Sequence, residues 1–377
     1  MKSLVTVIAC SLVLLSFDMR AQIVKEILYV GTYSVRGSEG LYVYEFDRAK
    51  GTFERIQTAS ELKSPSFIAI HPSGKYLYAV SEAGQGSGSV GAYAIDPKTG
   101  KLTFLNQQLS HGNGPCYVNV DQTGKWAFVA NYGGGSMAVL PIQPNGSLGA
   151  ATDSVRYSGS GPNAQRQEKP HAHSVTISPD NKFVYVADLG TDRVYIYALD
   201  VANGTVKPAT TPFVSVKPGA GPRHLTFDPS GKRVYVAEEL ISSTAAFAYD
   251  AKTGALTLIE DAVSSLPADF TGNNTSADIH PSPNGKFLYQ SNRGYHALAI
   301  FSVANSGKLT LVGQQPTQGK TPRNFMVDAR GNYVLAANQD TDNVVMFTLD
   351  AKTGKLTPKG TELKIPAPVC LQLLELK

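Results

Sequence analysis

The sequence predicts an all-β chain, a seven-bladed β-propeller of four-stranded antiparallel blades whose ring is closed by the C-terminal strand joining the N-terminal blade. Three observations carry this. A unit of Pro, two variable residues, alternating apolar residues, a turn and a second apolar run recurs along the chain. No segment after residue 21 shows the apolar spacing of a helix. The recurrence starts with a fragment at one end and finishes with its complement at the other.

Taken in order, residues 1–21 stand apart. Lys2 is followed by an apolar run, Leu4 to Phe17, and then by DMRAQ, with Ala21 in the cleavage position. A charged start, a short apolar stretch and a small residue describe a secretory signal peptide. The run is short for a membrane-spanning helix. Met19 is larger than the residue usual two places before such a cleavage. Cys10, in VIAC, is followed by more apolar residues, where a lipidated chain turns polar. The segment predicts a periplasmic or secreted protein; without a working signal the chain stays cytoplasmic. Residues 22–377 are then one propeller domain.

Blade one is split. ILYVGTYSVRGSEGLYVYEFDRAKGTFERI, from Ile27, supplies its strands two to four. APVCLQLLEL, from Ala367, matches strand one, with Pro368 in the proline position. Six complete units lie between. They open PSFIAIHPSGKYLYAVSE at Pro65, PCYVNVDQTGKWAFVANY at Pro115, AHSVTISPDNKFVYVADL at Ala172, PRHLTFDPSGKRVYVAEE at Pro222, SADIHPSPNGKFLYQSNR at Ser276 and PRNFMVDARGNYVLAANQ at Pro322. Each continues into a third strand and usually a turn like DPKTGKL at Asp96–Leu102. Period-two alternation gives strands. Pro-Ser-Gly-Lys and Lys-Thr-Gly give turns, with glycine able to take positive φ. Residues 22–377 shared among seven blades give about 51 each, the length of a four-stranded blade. Joining the two fragments leaves no open sheet edge.

Composition narrows the function classes. Lys plus Arg number 34 against 30 Asp plus Glu, with no basic block or stripe, which speaks against a nucleic-acid partner. Beyond residue 21 the cysteines are Cys116 and Cys370. Two thiols so far apart make no disulfide framework and read as small buried side chains.

In a meander blade the start of strand one and the end of strand two share an edge, and strand one is innermost. The repeat register therefore names the residues around one mouth of the channel. After the proline come Ser66, Cys116, His173, Arg223, Ala277, Arg323 and Val369, then Phe67, Tyr117, Ser174, His224, Asp278, Asn324 and Cys370. Strand two closes on Thr32–Tyr33, Ser81–Glu82, Asn131–Tyr132, Asp188–Leu189, Glu238–Glu239, Asn292–Arg293 and Asn338–Gln339. The charged members cluster in blades four to seven, which predicts an off-centre pocket there. His171 falls outside the register, as a rim, turn or substrate-contact residue. The two longest linkers, residues 154–169 and 264–275, connect blades on this same face, where loops on a rigid scaffold carry function.

The expected pocket holds His173, His224, Arg223, Arg293, Arg323, Glu239 and Asp278, with Asn131 and His171 as further substrate contacts. Glu238 is expected to be the structural or solvent-facing member of its pair. The planar arginine fork suits phosphate or carboxylate, and a His or Glu among arginines can take a proton from water. No G-x-S-x-G elbow, Cys-x-x-Cys or His-Glu-x-x-His occurs. Gly133–Gly135 lacks a following helix and reads as a tight turn. The set favours water attack on an anionic, activated carbonyl compound, with arginine stabilising the oxyanion. The same charges could instead form a buried ion network.

At HSVTISPDNKFVYVAD, GAGPRHLTFDPSGKRVYVAEEL, SADIHPSPNGKFLYQSNR and TPRNFMVDARGNYVLAANQ the chain resembles the seven-bladed propeller lactonases. That family includes the bacterial propeller-type 6-phosphogluconolactonase and the fungal carboxymuconate lactonizing enzyme. The resemblance spans about residues 26–375. It implies a metal-independent hydrolase of anionic sugar-acid lactones that needs no cofactor. It matches His173, Arg223 and Glu239 to the family's active-site His, Arg and Glu, and Arg293 to a further arginine. His173 or Glu239 would then be the base, Arg223 would polarise the carbonyl, and Arg293 and Arg323 would bind the anionic group. An export signal is at odds with a cytosolic phosphorylated substrate. Two alternatives follow: an exported, non-catalytic propeller that binds a carbohydrate or protein, and a calcium-dependent lactonase with Glu239 and Asp278 as ligands. The expected partner is a small anionic lactone, taken by a monomer or weak homodimer with no membrane span after signal removal.

Overall fold

The structure, a computed structural model, describes residues 25–82, 86 and 88–376. The expected signal peptide lies outside them. Among the described residues no helix is long and apolar enough to cross a membrane. The strands form seven separate four-stranded antiparallel sheets, the blades of a propeller. Six blades are built of consecutive strands, and the seventh is the split one. There Pro368–Leu376 pairs with Lys25–Thr32, from Lys25 opposite Leu376 to Thr32 opposite Pro368.

The apolar interior is divided into layers between neighbouring blades. Ile27 and Tyr29 of blade one pack on Leu77, Ala79 and Tyr93 of blade two. Leu28, Val30 and Leu371 cover the other face of blade one against Leu335 and Val344 of blade seven. Both faces of each second strand are thus buried, so these strands read as nearly continuous apolar runs such as FVYVAD.

Turns set the blade-to-blade spacing. Tyr29, Tyr185 and Tyr289 of strands two donate to the carbonyls of Gly100, Gly254 and Gly354 in the next blade at 2.8, 2.6 and 2.9 Å. Each acceptor is the glycine of a Lys-Thr-Gly turn at φ of 72–75°. Any other residue there would be strained. A Cβ on Gly254 would also meet the Phe183 ring at 2.4 Å.

Candidate functional site

Strand one does not run straight into the channel. Its pairing with strand two slips at Pro115/Tyr117, Ala172/Ser174, Pro222/Leu225, Ser276/Ile279 and Pro322/Asn324. The residues passed over include Cys116, His173, Arg223, Ala277 and Arg323. A bulge bends a strand and re-aims a side chain. Here it turns the position after the proline toward the axis, and in blade five it lets the consecutive Arg223 and His224 both face inward.

The two closing positions of strand two have separate jobs. The first is a clamp onto the blade's own loops. Asn131, Asn292 and Asn338 donate to the carbonyls of Ser110, Ser265 and Thr317 at 2.9–3.0 Å. Asp188 accepts the N–H of His171 and Gly190. Asn131 is thus fully buried and engaged, and it is not the substrate contact expected. Glu238 is likewise fully buried and holds Ser243, so it is structural and not solvent-facing. Burial pushes its carboxyl up to about 7, with Ser243 opposing. The Asn292 side chain also accepts from Ser265, Asn274 and Ser276 at 2.9–3.0 Å. Asn292→Ala strands these groups, so chemical denaturation should show a loss of about 3 kcal/mol.

The second closing position faces the channel. Glu239, 2 % exposed, is held by three arginines. Arg166 Nη2 donates to Oε1 at 2.6 Å, and Arg293 Nη2 stands 3.0 Å from Oε2. Arg223 Nε is also 3.0 Å from Oε2, an ion pair whose angle makes no hydrogen bond and leaves that N–H unpartnered. Burial opposes the charge, but Arg293, Arg223 and Arg166 outweigh it and hold the carboxyl at about 2. With both oxygens engaged by arginines, the carboxylate is not free to take a proton from water. The structure therefore does not favour Glu239 for proton abstraction; it makes Glu239 the group that gathers the arginines.

Behind Arg223 runs a polar chain. Arg223 Nη1 donates to the Ala277 carbonyl at 2.7 Å and to His224 Nε2 at 3.1 Å. His224 Nδ1 donates to Asp278 Oδ1 at 2.7 Å. Asp278 Oδ2 takes His280 and Asn324 at 2.9 and 2.5 Å. This pattern fixes a neutral His224 with its proton on Nδ1. Burial, then Arg223, lower its pKa to about 4, against the pull of Asp278. His224 floors the site and Asp278 lies behind it, so both position Arg223 and neither is free to hold substrate as expected. Phe67 and Tyr117, stacked at 4.1 Å, pack edge-on against His224 and plug the channel below it.

Above that plug is a narrow cavity of about 10 Å³, the room of a single water, lined by Tyr33, Ser66, Glu82, Cys116, His173, Arg223, His224 and Arg323. It is axial, unlike the off-centre pocket expected, because the short side chains of Ser66, Cys116 and Val369 leave room where the first three blades meet. Larger cavities of about 440 and 370 Å³ lie at the far end of the inner strands and on their sides, without the arginines. Burial, then Arg223, His224 and Arg323, keep His173 well below the usual imidazole value, so it is neutral. Its Nδ1 is 3.8 Å from the Cys116 sulfur, and its Nε2 has no protein partner among the described residues. Burial drives the Cys116 thiol far up, so it is no nucleophile. Both cysteines are free and buried, as the sequence suggests. Arg323 lies 5.3 Å over the Tyr33 ring and has no carboxylate partner among the described residues.

His171 is outside the cavity. Its ring stacks on Tyr132 at 4.4 Å, with Nε2 on Glu168 and Nδ1 on the Tyr132 carbonyl. It pins the 154–169 linker and is no substrate contact. That linker also delivers Arg166, which the sequence reading missed; Glu82 was missed as well. Glu239 and Asp278 do not converge as calcium ligands: arginines hold the first, and His224, His280 and Asn324 the second. Among the described residues no cluster of three His, Cys, Asp or Glu is arranged for a metal.

The profile of a family described as "Lactonase, 7-bladed beta-propeller" matches residues 27–373. The 6-phosphogluconolactonase of Bacillus subtilis is 39 % identical over 351 residues, 93 % of this chain and 99 % of that one. The 6-phosphogluconolactonase of Formosa agariphila is 34 % identical over 92 % of this chain and 99 % of its own. The solved structure of the periplasmic gluconolactonase of Pseudomonas aeruginosa has a TM-score of 0.87 at 32 % identity, covering 94 % of this chain and all of that one. The match spans every blade, and the chain belongs to the seven-bladed β-propeller lactonase family.

Proposed function

We propose that this hydrolase opens the ester of an anionic sugar-acid lactone, with 6-phosphogluconolactone as its substrate. The observation that supports this reading most is Arg323: a half-buried guanidinium beside neutral His173 and Arg223, with no carboxylate partner among the described residues. A fork of donors so placed suits a phosphate or carboxylate on the substrate. Arg223 Nη2, likewise without a protein partner among the described residues, faces the carbonyl oxygen and stabilises it as charge develops. His173 Nε2 takes a proton from the attacking water. Glu239 holds Arg166, Arg223 and Arg293 in place. The chain acts as a monomer or weak homodimer.

A second substrate reading has its own support. The Pseudomonas aeruginosa relative is a periplasmic gluconolactonase, and residues 1–21 have the composition of an export signal. An exported enzyme would meet unphosphorylated gluconolactone. Turnover of both lactones, freshly made and corrected for spontaneous hydrolysis, separates the two. Under the first reading, Arg323→Ala raises KM for the phosphorylated lactone about 10- to 100-fold, the worth of one charge-assisted contact. It leaves the unphosphorylated lactone nearly unchanged. Equal turnover of both lactones by wild type, indifferent to Arg323→Ala, moves the substrate to the neutral sugar. No turnover of either rejects both and favours a binding protein.

A further inference from the structure

Lactone hydrolysis moves two protons. One leaves the attacking water, and one must reach the ring oxygen as it parts from the carbonyl carbon. His173 accounts for the first alone. We infer that Glu82 is the general acid that protonates the departing ring oxygen. The inference rests on the lactonase reading above.

Glu82 closes strand two of blade two, at the register position that Glu239 occupies in blade five. The surroundings of the two carboxyls are opposite. Glu239 is bound by three arginines. Glu82 has no cation within ion-pair distance among the described residues. It accepts the Ser66 hydroxyl on Oε2 and the Tyr33 hydroxyl on Oε1, the latter at 3.5 Å. It lines the same cavity as His173, Arg223 and Arg323. Burial raises its proton affinity by more than Arg323, Ser66, Tyr33 and Arg223 lower it. Two carboxyls whose environments push them apart take different roles: Glu239 stays charged, and Glu82 can carry a proton.

The electrons and protons balance. The water oxygen bonds to the carbonyl carbon while His173 Nε2 takes one of its protons, and the carbonyl electron pair moves onto oxygen facing Arg223. That pair then returns, the bond from the carbonyl carbon to the ring oxygen breaks, and the ring oxygen takes the proton of Glu82. Histidinium and carboxylate are left beside the hydroxy acid. The histidinium proton passes to the Glu82 carboxylate, which restores both groups. Because the acid form of Glu82 is the active one, kcat falls as pH rises through its pKa.

The test is the pH dependence of kcat for 6-phosphogluconolactone with the wild-type enzyme, Glu82→Gln and Glu82→Asp, each checked by thermal melting. Glu82→Gln is the same size but has no proton to give. Its kcat should drop on the order of 10²- to 10⁴-fold with KM unchanged or lowered, and its alkaline limb should vanish. Glu82→Asp should keep the limb at a reduced rate. An unchanged kcat in Glu82→Gln, or equal losses in both variants with the limb intact, overturns the inference. If Glu82→Gln does not fold, Glu82→Asp decides by whether its limb moves. If the wild type shows no turnover, the lactonase reading fails and this inference with it, an outcome that the wild-type control identifies by itself.

Discussion

Glu239→Gln is expected to cost about 3–5 kcal/mol of stability and to lower kcat/KM on the order of 10²-fold or more. The amide keeps the shape and removes the charge, so Arg166, Arg223 and Arg293 face one another with no anion between them. Breaking a buried ionic cluster on one side is worse than never building it, because the partners stay buried and charged. Urea melts and initial rates on the lactone measure the two effects. The pH dependence carries the same signature. The Glu239 carboxyl sits near 2 when folded against the usual 4.5. Its contribution of about 3 kcal/mol is therefore complete above pH 4.5 and is lost as pH falls toward 2. In Glu239→Gln that part of the acid limb should flatten. His224 acts earlier: the unfolded chain takes its proton near 6.5 and the folded chain only near 4. That loss, from pH 6.5 down to 4, should persist in the variant.

Arg223→Ala should lower kcat about 10²- to 10³-fold, the worth of one oxyanion donor, with a smaller change in KM. It should destabilise less than Glu239→Gln, since Arg166 and Arg293 still neutralise the carboxylate. Arg223→Lys should recover little. A lysine nitrogen placed to hold the Ala277 carbonyl and His224 Nε2 lacks the second nitrogen, Nη2, that the planar guanidinium presents to the cavity. A variant that raised KM alone would assign Arg223 to ground-state binding.

The blades were legible because their markers are local. A proline, an alternating run and a glycine turn identify a strand pair wherever they occur, and the split repeat ties residues 25–32 to residues 368–376 before any contact is known. The inward set at His173, Arg223 and Arg323 was legible for the same reason. What failed to show was the sorting of neighbours. Glu238 is the structural member of its pair, as expected, but the repeat register alone does not sort Asn131 from Tyr132. One clue was available: asparagine recurs at 131, 292 and 338, and a residue repeated in blade after blade serves the blade. Arg166 gave no such clue. It comes from an irregular linker whose path, set by His171 on Tyr132 and Glu168, has no repeat to read. Glu82 stands in the register but alone, because its blade contributes no other charge to those positions.

The closure of blade one has a bearing on synthesis. Strand one of that blade is translated after every other strand, yet its partner is the first. Until Pro368–Leu376 emerges, the strand Lys25–Thr32 has one edge without hydrogen-bond partners, an adhesive surface for a neighbouring nascent chain. The six later blades can form as they leave the ribosome; the ring cannot. A stalled or truncated message therefore yields a fragment that is mostly folded and sticky at one place. A short peptide copying residues 368–376 should cap it in trans.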